Sequence, residues 1–253
     1  MPQYSIVYIR VSVDDLTLVR QQGDTLAHYC HKMNRRVSFT LNLREALSAA
    51  PAAITAGVQQ VALYLSTPAT LVPLGEFNES DAEVLYRAAT ADSVRRRVLF
   101  DALPSLGYVL LYGVSENVCK AVEEAFPHTT FHNALLPLLQ RREGVDGEGV
   151  TLQVYVHEDQ TDALCWQGRK LMALNTFTTR HTDDATFFLL GMVEALAIPA
   201  DSLTVKVAGE ARKQQAVVQS LLRFVSSAEA IGDSRNALPY DLAQAVRFEV
   251  QKA

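Results

Sequence analysis

The sequence predicts an α/β protein of two similar lobes, each a mixed sheet flanked by helices. Three observations carry that prediction. Stretches of period-two hydrophobicity alternate with stretches of helical period. The order three-stranded meander, helix, strand, helix occurs twice along the chain. Between the two occurrences lies EGVDGEG, residues 143–149, whose three glycines and three acidic residues read as a linker. The expected lobes are therefore residues 1–142 and 150–253.

In the first lobe, Tyr4 to Val11 alternates apolar with small or polar residues and reads as a strand, turned by Asp14 and Asp15 into a returning strand from Leu16 to Arg20. Thr25 to Tyr29 and Arg36 to Leu41 are further strand candidates. Asn42 is placed to cap an Ala-rich helix running from Leu43 to about Thr55. Val61 to Ser66 has the composition of a buried strand, Leu71 to Pro73 of a short extended piece, and Asn78 to Ala91 of a helix with an acidic first turn. Tyr108 to Tyr112 predicts a strand, Glu116 to Phe126 a helix, and His128 to His132 another strand, after which Asn133 caps a helix through Arg141.

The second lobe repeats the plan. Strands are expected at Thr151 to His157, Thr161 to Trp166 and Lys170 to Phe177, with turns at Glu158 to Gln160 and at Gln167 and Gly168. A helix from Asp183 to Leu196 stops before Pro199 and is followed by a strand from Leu203 to Val207 and a helix from Glu210 to Leu222. The tail from Pro239 to Val250 carries Leu242, Val246 and Phe248 in an amphipathic pattern suited to packing on its own chain.

Composition narrows the function classes. A chain of 253 residues buries roughly three quarters of its unfolded surface and needs no covalent staples. Its net charge of -5 offers no general attraction for phosphate backbones, and the short cluster Arg95, Arg96, Arg97 lacks interleaved aromatics, so it reads as a solvated helix end or loop and no nucleic-acid partner is expected. No apolar stretch has transmembrane length, and the opening MPQYSIVYIRVSVDD lacks a signal-peptide pattern, so a cytoplasmic protein is expected. Cys30, Cys119 and Cys165 are odd in number and far apart, the pattern of reduced thiols.

The usual catalytic strings, a Walker-type phosphate loop, GxGxxG, GxSxG and HExxH, do not occur. His28 and His31 flank Cys30 but point to opposite faces of a strand, and His128 and His132 are too far apart along a strand to share a metal. Trp166, Phe177, Phe187 and Phe188 have the spacing of core residues and would otherwise line a ligand pocket.

The stretches YSIVYIRVSVDDLTLV, VALYLSTPATLVPLGEFNESDAEVLY and LQVYVHEDQTDALCWQGRKLMALNTF resemble the actin-like ATPase (ribonuclease H-like) fold, and most closely the bacterial family called domain of unknown function 3822. More distantly the chain is similar to actin-like proteins of pilus assembly and type II secretion. The resemblance implies an interlobe cleft in which the first hairpin of each lobe faces nucleotide phosphates, and in active relatives those turns carry an Asp and glycines so that backbone amides approach closely. The equivalent turns here are Ser12, Val13, Asp14, Asp15 and Glu158, Asp159, Gln160, Thr161, neither with a glycine. Extra carboxylates there would face the phosphates, and like charges about 4 Å apart cost roughly 4 kcal/mol near a protein surface.

Gly209, in VKVAGE, stands where relatives place a glycine-rich turn against adenosine. Two readings follow. In one, the protein is a catalytically degenerate binding or scaffolding module with a protein partner or a second copy of itself. In the other, Asp14, Asp159 and Gly209 serve a weak ATPase or ATP-binding cleft, the carboxylates holding Mg²⁺.

Overall fold

The computed structural model describes residues 6–22, 25–90, 96–145, 147–232 and 238–252. In chain order the elements are β1 (Ile6–Val11), β2 (Asp15–Gln22), β3 (Thr25–Lys32), α1 (Phe39–Ala49), α2 (Ala52–Thr55), β4 (Gln60–Leu65), β5 (Ala69–Pro73), α3 (Ala82–Ala89), β6 (Arg96–Leu103), β7 (Tyr108–Ser115), α4 (Glu116–Ala125), β8 (Thr129–Asn133) and α5 (Leu136–Arg141). They continue with β9 (Val150–His157), β10 (Gln160–Gln167), β11 (Lys170–Thr178), α6 (Thr182–Ala195), β12 (Leu203–Gly209), α7 (Ala211–Leu221), β13 (Ser227–Ala230) and α8 (Tyr240–Lys252). The chain divides into two compact units, one of Met1–Gln140 with Gln244–Ala253 and the other of Arg141–Ala243.

In the first unit a five-stranded sheet runs β3-β2-β1-β4-β8. Strand β1 pairs antiparallel with β2, Ile9 opposite Leu18 and Val11 opposite Leu16, and parallel with β4, Ile9 opposite Leu63. Ile9, Leu16, Leu18 and Leu63 are fully buried, which is what holds the register, since a slip of one residue would turn each of them to the other face. Arg20, itself buried on β2, donates from Nη1 to the carbonyls of Ala53 at 3.3 Å and Ala56 at 2.5 Å, closing the C-terminal end of α2.

A second, three-stranded sheet of order β5-β7-β6 belongs to the same unit, where Val72, Ala82 and Leu111 form a small core that joins α3 to it. The cluster at Arg96 and Arg97 is accordingly part of a strand and not a solvated helix end. Arg97 donates to Glu123 at 2.5 Å and to Glu116 at 3.4 Å on α4, and Val98 on the same strand packs against the core. Arg95, like Tyr4 and Ala91, lies outside the described residues.

Residues 36–41, expected as a strand, instead turn into α1. Ser38 is the N-cap, its hydroxyl accepting from the Leu41 amide at 3.2 Å. Asn42 is not the cap but a buried residue within the helix. Its amide oxygen accepts from Asn34 N at 2.7 Å, and its amide nitrogen donates to the carbonyls of Asn34 and Ser38, both at 3.1 Å. The helix also ends earlier than expected, because Pro51 cannot continue the α1 hydrogen-bond ladder and starts the separate turn of α2.

The second unit holds one sheet of order β11-β10-β9-β12-β13, the order of the first unit's larger sheet, with β9 antiparallel to β10 and parallel to β12. Leu152, Val154, Ala163, Cys165, Val205 and Val207 from the sheet pack with Leu189 of α6 and Val217 and Leu221 of α7. Thr186 donates across to Ser220 at 2.9 Å and ties the two helices together. Strand β13, too short and polar to be expected from sequence, completes the sheet by pairing parallel with β12. The side chain of Phe248 in α8 lies outside the described residues.

Candidate functional site

Each five-stranded sheet begins with a hairpin, and its turn holds the carboxylates singled out from the sequence. In the first unit the β1–β2 connection is Ser12, Val13 and Asp14, with Val13 at the exposed tip. Its polar groups close upon one another. Ser12 N donates to the Asp15 carbonyl at 2.9 Å, and the Ser12 hydroxyl accepts from the amides of Asp14 at 3.2 Å and Asp15 at 3.1 Å. Three of the amides that a phosphate would have to meet are thus already satisfied inside the turn. The Asp14 carbonyl accepts from Met33 N at 2.9 Å, fastening the turn to the end of β3.

The carboxylates of this turn carry their own cations. Asp15 lies 3.7 Å from the Arg10 guanidinium, 1% exposed on β1, and 3.5 Å from Lys32 on β3. Asp14 is ion-paired with Arg35. Both carboxylates of the turn are thus paired with cations, and three of its amides are already bonded.

In the second unit the connection from β9 to β10 is the two-residue turn Glu158–Asp159, with His157 opposite Gln160. Glu158 takes φ of +39°, a conformation that glycine adopts more readily. It is held there by tertiary contacts. Glu158 Oε2 lies 2.5 Å from Nδ1 of His157, and the Glu158 carbonyl accepts from Lys213 of α7 at 2.7 Å. His157 Nε2 meets Asp162 Oδ2 at 2.9 Å, and Asp162 Oδ1 accepts from the Thr176 hydroxyl at 2.6 Å.

His157 and Asp162 are almost wholly buried. Burial alone would lower the His157 pKa, but Asp162 and Glu158 outweigh it, and the pKa is pushed up to about 10, so both ring nitrogens donate. The Tyr155 ring stacks on the imidazolium at 4.5 Å between centroids, and the Tyr155 hydroxyl donates to Asp241 at 3.2 Å.

Of the residues singled out from sequence, Asp159 has an exposed side chain, and its carbonyl accepts from Thr179 N at 2.8 Å. Gly209 ends β12 opposite Val156 with φ of +143°, and a Cβ there would stand 2.3 Å from the Val156 carbonyl oxygen. Its glycine is thus explained by close approach of two strands. Asp159 and Gly209 lie within one unit, near the same hairpin, whereas Asp14 belongs to the other.

Sequence reasoning placed Ser12 in the first turn without a role and passed over Arg35, His157, Asp162 and Lys213. A charged Arg10 in the apolar run IVYIRV and a His–Glu–Asp turn with a further Asp at 162 were the visible signals. Reading them required knowing which side chains are buried together.

The aromatic group divides. Trp166 is fully buried, its Nε1 donating to Gln153 at 3.3 Å, while Phe177, Phe187 and Phe188 line a groove between β11 and α6. Among the described residues no three His, Cys, Asp or Glu side chains gather for a metal ion, and no helix is long and apolar enough to cross a membrane.

No curated protein matches this chain in sequence. Among solved structures it is similar to a Bacteroides thetaiotaomicron protein with actin-like ATPase fold and unknown function, at a TM-score of 0.86 and 18% identity over 97% of this chain and 96% of that one. It is also similar to the PilM-PilN type IV pilus biogenesis complex, at a TM-score of 0.60 and 14% identity over 99% and 94% of the two chains. A third is the ethanolamine utilization protein EutJ from Carboxydothermus hydrogenoformans, at a TM-score of 0.50 and 12% identity over 91% and 85%. At these identities the likeness establishes the fold alone, which is the actin-like ATPase fold. Residues 2–227 match the family described as Protein of unknown function (DUF3822), and the chain belongs to that family.

Proposed function

We propose that this protein is a catalytically degenerate member of the actin-like fold that works as a binding or scaffolding module. The observation that carries the reading is the first hairpin, where the amides of Ser12, Asp14 and Asp15 all have acceptors within the turn. A phosphate would have to displace the Ser12 hydroxyl and the Asp15 carbonyl from them. Mg²⁺ at Asp14 would likewise compete with Arg35, and the buried ion pairs around His157 tie the second hairpin into the protein's interior. A protein partner is part of this reading, by analogy with PilM, whose structure is known in a complex with PilN. So is action in the cytoplasm, where the three free thiols would stay reduced.

The test is a thermal-shift titration with ATP, ADP and GTP, with and without Mg²⁺, alongside a steady-state ATPase assay. No shift at millimolar nucleotide and no turnover are expected. A bound ligand at 100 times its Kd would add about 2.7 kcal/mol, so a metal-dependent rise of that size would overturn the reading.

One observation favours the second reading, a nucleotide-binding cleft. The first hairpin gathers three cations, Arg10, Lys32 and Arg35, around two carboxylates. If ATP raises the melting temperature, loss of that rise in Arg35→Ala would assign the cations to the phosphates.

A further inference from the structure

We infer that the free edge of β11, with the groove beside it, is a self-association surface on which a second copy of this chain pairs β11 to β11. Among the described residues of the second unit β11 is the edge strand, bonded on one side to β10. Exposed edges are ordinarily protected by charge, proline or a bulge. Here a register shift opposite Cys165 and Trp166 interrupts only the start of β11, and from Ala173 to Thr178 the strand is regular. Residues 171–178, LMALNTFT, carry no charge, in a chain where a fifth of the residues are charged. The edge strand in the matching place of the first unit, β3, carries His28, His31 and Lys32.

The helix beside that edge is equally neutral. Residues 185–193 of α6, ATFFLLGMV, contain no ionisable side chain. Between α6 and β11 lies a groove of about 340 Å³, lined among others by Ala173, Phe177, Phe188, Met192 and Leu196. Around it Phe187 is 72% exposed, Met172 44% and Phe188 37%. One surface therefore presents both a projecting aromatic ring and an apolar hollow that can receive one.

That combination is what a two-fold interface requires, since each copy must offer the same patch as knob and as hole. Antiparallel pairing about an axis normal to the sheet makes one continuous ten-stranded sheet and brings both α6 helices to the same face, where the exposed phenylalanines of each copy meet the groove of the other. Two-fold pairing also sets residues near the axis against their own images, so a charge there would repel itself. The uncharged stretch from Leu171 to Thr178 meets that condition. The inference stands whether or not the hairpins accept nucleotide.

Sedimentation velocity on the full chain tests it, with circular dichroism to show that each variant is folded. A reversible dimer is expected below about 200 µM, the range in which a modest interface is populated. Asn175→Lys, which puts a charge on the exposed middle of β11, and Phe187→Glu are each expected to weaken it at least about tenfold. Phe224→Glu, exposed but outside the groove, is expected to leave it unchanged. A wild-type monomer at the highest concentration would overturn the inference and leave the edge to a strand from another protein. So would a dimer whose Kd is unchanged in both Asn175→Lys and Phe187→Glu.

Discussion

The two large sheets share one strand order, yet their first hairpins are built by different physics. In the first unit the turn is three residues long and held by short-range hydrogen bonds to the Ser12 hydroxyl, with the buried Arg10 beside Asp15 and the more exposed Lys32 and Arg35 around it. In the second the turn is two residues long, puts Glu158 at positive φ, and is anchored by a buried imidazolium between two carboxylates. The parallel neighbour differs as well. The last β1–β4 pair is Val11 with Leu65, and the last β9–β12 pair is Val156 with Gly209. The same topology thus tolerates a locally stabilised turn and a globally stabilised one, and the second should be far more sensitive to single substitutions.

The largest effect is expected for His157→Gln. It removes the cation that lies between Asp162 and Glu158, and breaking a buried ionic cluster from one side costs about 3–5 kcal/mol. Chemical denaturation monitored by Trp166 fluorescence, a probe within the second unit, would measure it; a loss under about 1 kcal/mol would show that the cluster is not what holds that hairpin. Next is Gly209→Ala, whose Cβ would collide with the Val156 carbonyl while requiring a backbone conformation that L residues rarely adopt, at about 1–3 kcal/mol. The matched change Leu65→Ala would lose stability through a cavity instead, so the pair separates strain from packing at equivalent sites.

A pH series sharpens the comparison further. Because the His157 pKa is raised from near 6.5 in the unfolded chain to about 10 in the fold, its contribution is fully present below about 6.5, declines as the pH rises, and is gone above about 10. The melting temperature of the wild type should therefore fall across that interval more steeply than that of His157→Gln. Parallel slopes would mean that the cluster does not titrate as a unit.

The smallest effect is expected from Arg35→Ala in the first hairpin. Its ion pair with Asp14 is exposed, and such pairs contribute about 0–1 kcal/mol. A loss as large as that of His157→Gln would erase the distinction between the two turns.

Much of the architecture was legible because apolar periodicity is a local property. The β1–β2–β3 and β9–β10–β11 meanders, their following helices and the long strands β4 and β12 all declare themselves in alternation and turn residues. The errors fall where a local signal was outvoted. Arg36–Leu41 has the β-branched and aromatic content of a strand, but the Ser38 cap and the buried Asn42 amide make it the entry to a helix. Arg96 and Arg97 look like solvent-facing charge until β6 supplies a pairing partner in β7 and α4 supplies Glu123.

The candidate site was legible only in outline. That neither hairpin turn contains a glycine is written in the sequence, and so is the excess of carboxylates in both. That Arg35 neutralises Asp14 is not, because the two are 21 residues apart, and neither is the hold of Lys213 on the Glu158 backbone carbonyl, which reaches across 55. Gly209 likewise stands in the sequence as a turn glycine, and only the register of β12 against β9 reveals a carbonyl where a Cβ would be.

By itself, then, the sequence determined the repeated strand order, the positions of both hairpins and the lack of glycine in them, since these follow from side-chain periodicity and backbone freedom within a few residues. The tertiary structure alone decided which amides are already bonded, that His157 is held charged, and that the uncharged stretch 171–178 of β11 lies at a sheet edge beside a groove. Those are consequences of burial and of long-range pairing, whose energies depend on what surrounds a group and not on its neighbours in the chain.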